Sequence, residues 1–193
     1  MTRNASIHMA LNLNQLNDSL PSIIKGVRLQ LVPFAIKHIQ ENYVSWLNND
    51  EIVRYSNQRF RQHTLQSCRQ YLDSFEGTSN RFLAIEDITS GELIGTLTMY
   101  INLHHETADI GILIGSSSHS GKGYGQEAFG LAVDALLSLA KLRKITAGTM
   151  ASNLGMTKVL KKCGMALEAT RKGQELLDGK PVDILYFAKF TSR

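Results

Sequence analysis

The sequence predicts an α/β fold of about seven strands and about four helices, in the order β, α, α, β, β, β, α, β, α, β, β. Short segments in which apolar and polar residues alternate predict strands, as in VRLQLV from Val27. Segments with apolar residues at spacings of three and four predict helices, as over residues 36–47. The chain of 193 residues is long enough to bury a substantial core as one domain.

The predicted elements begin after residue 25. Residues 1–25 are rich in Asn, Ser and Leu without a clear period, so we interpret them as an N-terminal arm, either mobile or packed on a neighbouring subunit. Residues 26–193 then form a single domain. After the first strand and the helix over 36–47, a second helix is predicted from an N-cap at Thr64 to Phe75.

The middle of the chain predicts three consecutive strands. The strands over 81–86 and 93–101 flank a turn that contains glycine, and a third follows over 108–114. The remaining predicted elements are a helix over 124–142, a strand over 144–150, a helix over 153–162, and two C-terminal strands joined by a turn at DGK.

Composition favours a soluble protein of the reducing cytoplasm. The hydrophobic content of 43% and the charged content of 20% are ordinary for a globular chain. No apolar run approaches the ~18 residues of a membrane span, and no signal-peptide pattern occurs at the N-terminus. Two cysteines, Cys68 and Cys163, form no disulfide framework.

The positive charge is concentrated in one segment. The formal net charge is +4, and residues 135–167 contain no Asp or Glu. A surface built from this segment would attract phosphate groups. The basic residues are few and lack an aromatic stacking series, which argues against a nucleic-acid partner. The basic residues of the segment over 135–167 are Lys141, Arg143, Lys144, Lys158, Lys161 and Lys162.

The segment SGKGYGQEA, residues 120–128, places three glycines at alternate positions directly before a predicted helix. A Walker loop does not fit because Lys122 stands at the wrong position. A dinucleotide fingerprint lacks the acidic residue expected about 20 positions later. A plain tight turn remains an alternative. Glycines that lead into a helix N-terminus also expose a row of backbone N–H groups, and this predicts a pyrophosphate site.

This segment resembles the acetyl-CoA site of the GCN5-related N-acetyltransferase (GNAT) superfamily. The signature of that site is Arg or Gln, two residues, Gly, one residue, then Gly or Ala, and Ser120, Gly123 and Gly125 occupy the matching positions. Ser120 departs from the usual Arg or Gln, which removes one side-chain contact to phosphate but leaves the backbone N–H groups in place.

The second half of the chain resembles the RimJ/RimL-type branch of the superfamily, and WLNNDEIVRY from Trp46 is similar to members that acetylate amino sugars. The resemblance covers about residues 26–190, and Met156, Lys161 and Met165 depart from the pattern of the branch. The positions that match it are Asn153, Leu160, Lys162, Gly164, Glu168, Arg171, Asp178, Gly179 and Asp183.

The resemblance implies the GNAT fold, a mixed and mostly antiparallel central sheet flanked by helices. It implies direct transfer of an acetyl group from acetyl-CoA to a primary amine in a ternary complex, without a metal, in a monomer or homodimer. The acceptor would be a small molecule such as an amino sugar. In one alternative, the acceptor is the N-terminus of a ribosomal protein. In another, the chain is a non-catalytic CoA-binding module.

The resemblance also implies which residues contact the cofactor. The strand over Ile112–Ile114 would separate from its neighbour and pair with the pantetheine arm, while the glycine segment holds the pyrophosphate and Asn153 bonds the pantetheine. The expected cofactor-binding residues are Ile112, Leu113, Ile114, Ser120, Gly121, Lys122, Gly123, Tyr124, Gly125, Gln126, Asn153 and Lys158.

Asp109 is the first candidate for the general base. Strand alternation places it on the same face as Gly111 and Leu113, and a carboxylate beside an apolar strand can have a raised pKa. A surface role at a strand edge is the alternative. His104, His105 and Glu106, in the preceding turn, are rival candidates. Two adjacent histidines rarely bind one metal ion, so no metal site is predicted there.

The general acid and the acceptor pocket are less defined by the sequence. Leu160 and Met156 stand where relatives place a Tyr or a Ser, so no acid is assigned and solvent is expected to protonate the thiolate. The acceptor is expected to contact Tyr55, Asn57 and Arg59, within the polar segment that follows the helix over 36–47. Arg54 or Arg59 would bind the phosphate of a nucleotide-linked sugar, or would be solvated.

Overall fold

One mixed sheet runs through residues 11–191, the part of the chain that the computed structural model describes. Its eight strands are β1 Ile24–Lys25, β2 Leu29–Pro33, β3 Arg81–Asp87, β4 Leu93–Asn102, β5 Thr107–Ile114, β6 Lys144–Met150, β7 Ala166–Leu177 and β8 Lys180–Phe190. They lie in the order β1-β2-β3-β4-β5-β6-β8-β7, and each neighbouring pair is antiparallel except β5 and β6. The predicted mixed sheet is confirmed, with β1 as one additional strand.

Helices cover the sheet, and two of them differ from the prediction. The expected helix over 36–47 is broken, because residues 36–38 form a 3₁₀ turn in which the buried His38 ring contacts Glu86 at 2.9 Å. The expected helix over 124–142 widens into a π-helical turn at residues 135–139. The α-helices of the described residues are α1 Leu13–Ser19, α2 Glu41–Leu47, α3 Leu65–Asp73, α4 Tyr124–Asp134 and α5 Leu154–Lys162.

Part of the expected N-terminal arm is folded against the sheet of its own chain. Helix α1 begins with reciprocal hydrogen bonds between Asn12 and Gln15, each 2.9 Å, which satisfy two N–H groups of its first turn. Leu16 is fully buried in the main core, and Leu20 joins the same cluster. The interpretation of residues 11–25 as an arm is therefore corrected, whereas residues 1–10 lie outside the described residues.

Two apolar layers form on opposite faces of the sheet. The larger layer packs α4 against the sheet around Phe129, and it contains Ala108 and Ile110 of β5. The smaller layer packs α2 and α3 around an aromatic group that includes Phe34 and Phe82, whose ring centroids are 4.3 Å apart. Leu113 of β5 packs against this second layer. Alternate side chains of β5 thus point to different faces of the sheet, as strand geometry requires.

Truncation of Leu16 tests whether α1 belongs to the folded unit. The variant Leu16→Ala removes a fully buried side chain, so the free energy of unfolding should fall by about 2–5 kcal/mol. The matched variant Leu167→Ala truncates a leucine that is 53% exposed on β7, and it should change that value by less than about 1 kcal/mol. Denaturant unfolding measures both. Equal effects of the two variants would show that α1 contributes nothing to stability.

Candidate active site

A gap opens between β5 and β6 in the middle of the sheet. The two strands pair only over three positions, Thr107 with Lys144, Ala108 with Ile145, and Asp109 with Thr146. Beyond these positions β5 stays paired with β4 as far as Ile114, while β6 stays paired with β8 as far as Met150. We call the space between residues 110–114 and 147–150 the β5–β6 gap. Strand backbone that borders such a gap can pair with an extended ligand.

A cleft of about 510 Å³ lies on the helix α4 side of this gap, and we call it the glycine-loop cleft. The structure places nine of the twelve expected cofactor residues along it, namely Ile112, Ile114, Ser120, Gly121, Gly123, Gly125, Gln126, Asn153 and Lys158. His119, Gly155, Met156, Val159 and Lys162 also line the cleft. Of these, the sequence indicates only Lys162 as a phosphate contact, within the basic segment 135–167. The four on α5 share one helical face, so their spacing could have identified them.

Three expected cofactor residues do not line the glycine-loop cleft. Leu113 points to the opposite face of the sheet from Ile112, because side chains alternate along β5. The Lys122 carbonyl accepts a hydrogen bond from Arg28 at 2.9 Å. The Tyr124 hydroxyl donates to Asp87 at 3.3 Å, so this side chain is directed toward the turn between β3 and β4. The N–H groups of Lys122 and Tyr124 remain part of the loop backbone.

The loop that carries the glycines has the backbone form expected of an anion site. Gly121 and Gly123 have φ values of 72° and 86°, in the left-handed region that favours glycine. Gly123 is the N-cap of α4, and no side chain makes the capping hydrogen bond. The first N–H groups of this 11-residue helix, together with the positive end of its dipole, therefore lie at the wall of the cleft.

A second pocket, of about 220 Å³, lies on the opposite face of the sheet, and we call it the Asp109 pocket. Tyr55 and Asn57, expected in the acceptor site, line it with Asp109. Sequence reasoning missed Glu175, which lines this pocket and directly follows a shift in the β7–β8 register between Arg171 and Glu175. The other lining residues are Gly148, Thr149, Met150, Ile184 and Tyr186.

Asp109 lies at the last paired position before the gap and has a defined orientation. Its Oδ2 accepts a hydrogen bond from the Thr146 hydroxyl at 2.6 Å. Asp109 as a whole residue is exposed, but partial desolvation of its carboxyl by the surrounding protein raises the pKa of Asp109 above its ordinary value of 3.8, and the hydrogen bond from Thr146 opposes that shift. A carboxylate with a raised pKa is a better proton acceptor than an ordinary aspartate.

The rival bases occupy the turn at the other end of β5. Neither His105 nor Glu106 lines the Asp109 pocket, and β5 is still paired with β6 at that end. Arg143 donates from Nε to the His105 carbonyl at 2.8 Å and from its backbone N–H to the Glu106 carbonyl at 2.8 Å. Glu106 has a φ of 51° in this turn. The structure therefore does not bring these two residues to the same pocket as Asp109.

The arginines expected near the acceptor form contacts within the protein. Arg59 donates to the Ser56 carbonyl at 2.8 Å and to the Leu176 carbonyl at 3.1 Å, and it does not line the Asp109 pocket. Arg54 forms an ion pair with Asp178, in the turn between β7 and β8. Both side chains thus connect residues 54–60 to the C-terminal hairpin, which leaves the Asp109 pocket with carboxylates and without a lining arginine.

Residues 11–191 contain neither a metal-binding cluster nor a helix suited to cross a membrane. No group of three or more His, Cys, Asp or Glu side chains there could hold a metal ion. In the same residues, no helix has the length and apolar character that crossing a membrane requires.

Comparison with known proteins identifies the family. The family model described as "Acetyltransferase (GNAT) domain" matches residues 28–166. The chain is 28% identical over 165 residues to "Probable N-acetyltransferase YjcK" of Bacillus subtilis (strain 168), which covers 81% of this chain and 91% of that protein. The fold and these matches define an acyltransferase. The chain belongs to the GNAT family of acetyltransferases, and it is an N-acetyltransferase.

Solved structures share this fold at low sequence identity. A GNAT-family acetyltransferase from Bacillus anthracis superposes with a TM-score of 0.75 at 22% identity, over 87% of this chain and 98% of that chain. Spermidine N-acetyltransferase from Vibrio cholerae, in complex with CoA and spermine, superposes with a TM-score of 0.75 at 20% identity, over 85% of this chain and 96% of that chain. RimL, a ribosomal L7/L12 α-N-protein acetyltransferase in complex with CoA, superposes with a TM-score of 0.77 at 16% identity, over 88% of this chain and 98% of that chain.

Substitution of Gly123 tests the anion site. The variant Gly123→Val places a branched side chain at a φ of 86°, with its Cβ 3.5 Å from Arg28 Nη2, and the resulting strain in the loop should reduce acetyl-CoA affinity by more than about tenfold. Isothermal titration calorimetry measures the affinity. Gly77→Val is the matched control, since Gly77 has a φ of 68° and a Cβ there meets no atom within 4 Å. Unchanged affinity in Gly123→Val would refute the proposed phosphate contact.

Proposed function

We propose that this N-acetyltransferase binds acetyl-CoA in the glycine-loop cleft and acetylates a small, positively charged primary amine held in the Asp109 pocket. One observation carries the proposal. The two pockets lie on opposite faces of the sheet, and residues that border the β5–β6 gap line both of them. A thioester that enters from the cleft through the gap would therefore meet an amine held on the other face.

The chemistry of the glycine-loop cleft suits the cofactor. The N–H groups at the start of α4 and the ammonium groups of Lys158 and Lys162 offer contacts to phosphate. Ile112 and Ile114 provide apolar contact for the pantetheine arm. The Asn153 Oδ1 caps α5 by accepting the Met156 N–H at 3.1 Å, so we assign the amide NH₂ of Asn153 to the ligand.

The cationic amine loses two protons in the reaction, one before its nitrogen can attack and one as the amide forms. In our proposal the Asp109 carboxylate takes the first proton, which frees the nitrogen lone pair. The nitrogen then attacks the thioester carbonyl carbon, the new C–N bond forms and the C–S bond breaks, CoA leaves as a thiolate, and the second proton passes to solvent. Thr146 holds Oδ2, so we assign Oδ1 to the acceptor. Solvent protonates the thiolate, which is a weak base.

The charge of the pocket favours a cationic acceptor. Asp109 and Glu175 both line it, and Tyr55 supplies aromatic surface for an ammonium group or an amino sugar, whereas the Tyr186 ring already has the Arg171 guanidinium over it at 4.8 Å. Because Arg54 and Arg59 are paired within the protein, the pocket offers little to the phosphate of a nucleotide-linked sugar. We therefore favour an unphosphorylated amine, such as a polyamine or a free amino sugar, over an anionic acceptor.

An acceptor panel tests the proposed function. Release of free CoA thiol should be fastest with polyamines or unphosphorylated amino sugars, slower with a nucleotide-linked amino sugar, and slower with a peptide that has a free N-terminus. Mass spectrometry of the product verifies the added acetyl group. If CoA binds and no amine releases thiol above the hydrolysis rate, the chain is a non-catalytic CoA-binding protein. Preference for the peptide would instead support N-terminal acetylation.

The variant Glu175→Gln adds a control to the panel. Loss of one carboxylate near an exposed ammonium group costs about 1 kcal/mol, so KM for the preferred cationic amine should rise about fivefold. Glu168→Gln removes a carboxylate from the same strand, where Glu168 pairs with Lys144 at 2.5 Å outside the pocket. It should leave KM unchanged. An equal effect of the two variants would contradict the assignment of the pocket.

The variant Asp109→Asn tests the proposed base. It preserves shape but removes basicity, so kcat should fall by at least about 100-fold while acetyl-CoA affinity stays nearly constant. In the wild type the ionised carboxylate is the active form. Activity should therefore decline as the pH falls through the pKa of Asp109, which lies above 3.8, and this decline should be lost in the variant.

Asp134→Asn provides the matched control, because Asp134 lies on α4 with a side chain that is 71% exposed. If Asp109→Asn retains the wild-type kcat and the same acidic decline, Asp109 is structural. The amine then enters in its neutral form, because His104, His105 and Glu106 do not line the pocket.

A further inference from the structure

Arg28 connects the start of β2 to the loop that carries the glycines. Its Nη1 donates to the Lys122 carbonyl at 2.9 Å, and its Nε donates to Glu127 Oε2 at 2.8 Å. The guanidinium also lies over the Tyr124 ring, 4.3 Å from its centroid. Arg28 directly precedes β2, whereas its partners lie at and just before the first turns of α4, so the contact joins segments that are 94–99 residues apart.

Glu127 holds the backbone of Arg28 as well as its side chain. The Oε1 atom accepts the N–H groups of Val27 and Arg28 at 2.8 and 2.9 Å. Burial opposes ionisation of Glu127, but these donors outweigh it and lower the pKa of the carboxyl. The fit is close, since a Cβ at Gly26 would lie 2.7 Å from Glu127 Oε1. Arg28 is therefore fixed in position before it reaches the loop.

The hydrogen bond to the Lys122 carbonyl orients one peptide group. In a trans peptide the C=O of one residue and the N–H of the next point in opposite directions. Because the Lys122 C=O points to Arg28, the Gly123 N–H points away from Arg28. Gly123 lines the glycine-loop cleft, and a left-handed residue at this position could otherwise rotate the peptide with little steric resistance.

We propose that Arg28 is a positioning residue for the cofactor, which holds the peptide between Lys122 and Gly123 so that its N–H donates to the CoA pyrophosphate. This inference rests on the proposed binding of acetyl-CoA in the glycine-loop cleft. Arg28 also neutralises Glu127, whose negative charge in the first turn of α4 would repel a pyrophosphate at the same helix end. Arg28 acts through the loop and does not contact the substrate.

The variant Arg28→Ala separates positioning from simple stabilisation by comparing two acetyl donors. Acetyl-CoA carries the pyrophosphate, and S-acetylpantetheine lacks it. Loss of charge-assisted hydrogen bonds should lower kcat/KM for acetyl-CoA by at least about tenfold, mainly through KM. The kcat/KM for S-acetylpantetheine, measured by mass spectrometry of the product, should change by less than about twofold. Equal losses with both donors, or no loss with acetyl-CoA, would overturn the proposal.

A second readout detects the peptide group itself. In an amide NMR spectrum, CoA should shift the Gly123 N–H resonance of the wild type downfield, and this shift should be much smaller in Arg28→Ala. Arg28→Lys keeps the charge, but one ammonium group cannot bond both the Lys122 carbonyl and Glu127 as the guanidinium does, so this variant should show an intermediate defect. It replaces Arg28→Ala in the test if Arg28→Ala does not fold. The same shift in wild type and both variants would overturn the proposal.

Arg81→Ala is the matched control, because Arg81 also donates to loop carbonyls, those of Ser79 and Asn80 at 3.0 and 2.9 Å, away from both pockets. It should leave the ratio between the two donors unchanged. Failure of the wild type to bind CoA would refute the proposed function. Normal binding by the wild type together with normal binding by Arg28→Ala would refute only the role of Arg28.

Discussion

The separation of β5 from β6 beyond Asp109 and Thr146 is the constraint on which the proposed mechanism depends. Each strand continues with its other neighbour, so the gap costs the sheet only the pairing between these two strands. On the Asp109 face, Gly111 and Gly148 stand on the two strands, one on each side of the gap. A Cβ at Gly148 would lie 3.2 Å from the Tyr186 ring, so this glycine lets the ring lie across β6. In our proposal the gap gives one ligand access to both faces of the sheet.

The charged residues that line the two pockets differ in sign, and this difference supports the proposed assignment of a substrate to each. On the α4 side, Lys158 and Lys162 join the positive end of a helix dipole, which favours a phosphorylated cofactor. On the other side, Asp109 and Glu175 favour an ammonium group. Because the sheet lies between these groups, an acidic acceptor pocket does not repel the cofactor phosphates at close range. In our proposal only the acetyl end of the cofactor crosses the sheet.

Much of this arrangement could be predicted from the sequence where local patterns determine structure. Alternation predicted β6 and the C-terminal hairpin, the Thr64 N-cap predicted the start of α3, and the glycine spacing indicated the loop before α4. Helix α1 could not be found this way, because it is seven residues long and buries only Leu16. Glu175 and Arg28 could not be predicted for a related reason, because distant parts of the chain determine their surroundings. Glu175 follows a register shift between β7 and β8, and the partners of Arg28 lie almost 100 residues away in the sequence.

The path of the cofactor through the gap is the central claim, and a crystal structure with a non-hydrolysable thioether analogue of acetyl-CoA tests it most directly. The account predicts that the pyrophosphate lies at the N-terminus of α4. The pantetheine should then extend along Ile112 and Ile114, with the acyl group between β5 and β6 on the side of Asp109. An analogue whose acyl group remains on the α4 face, or lies away from the β5–β6 gap, would contradict the account.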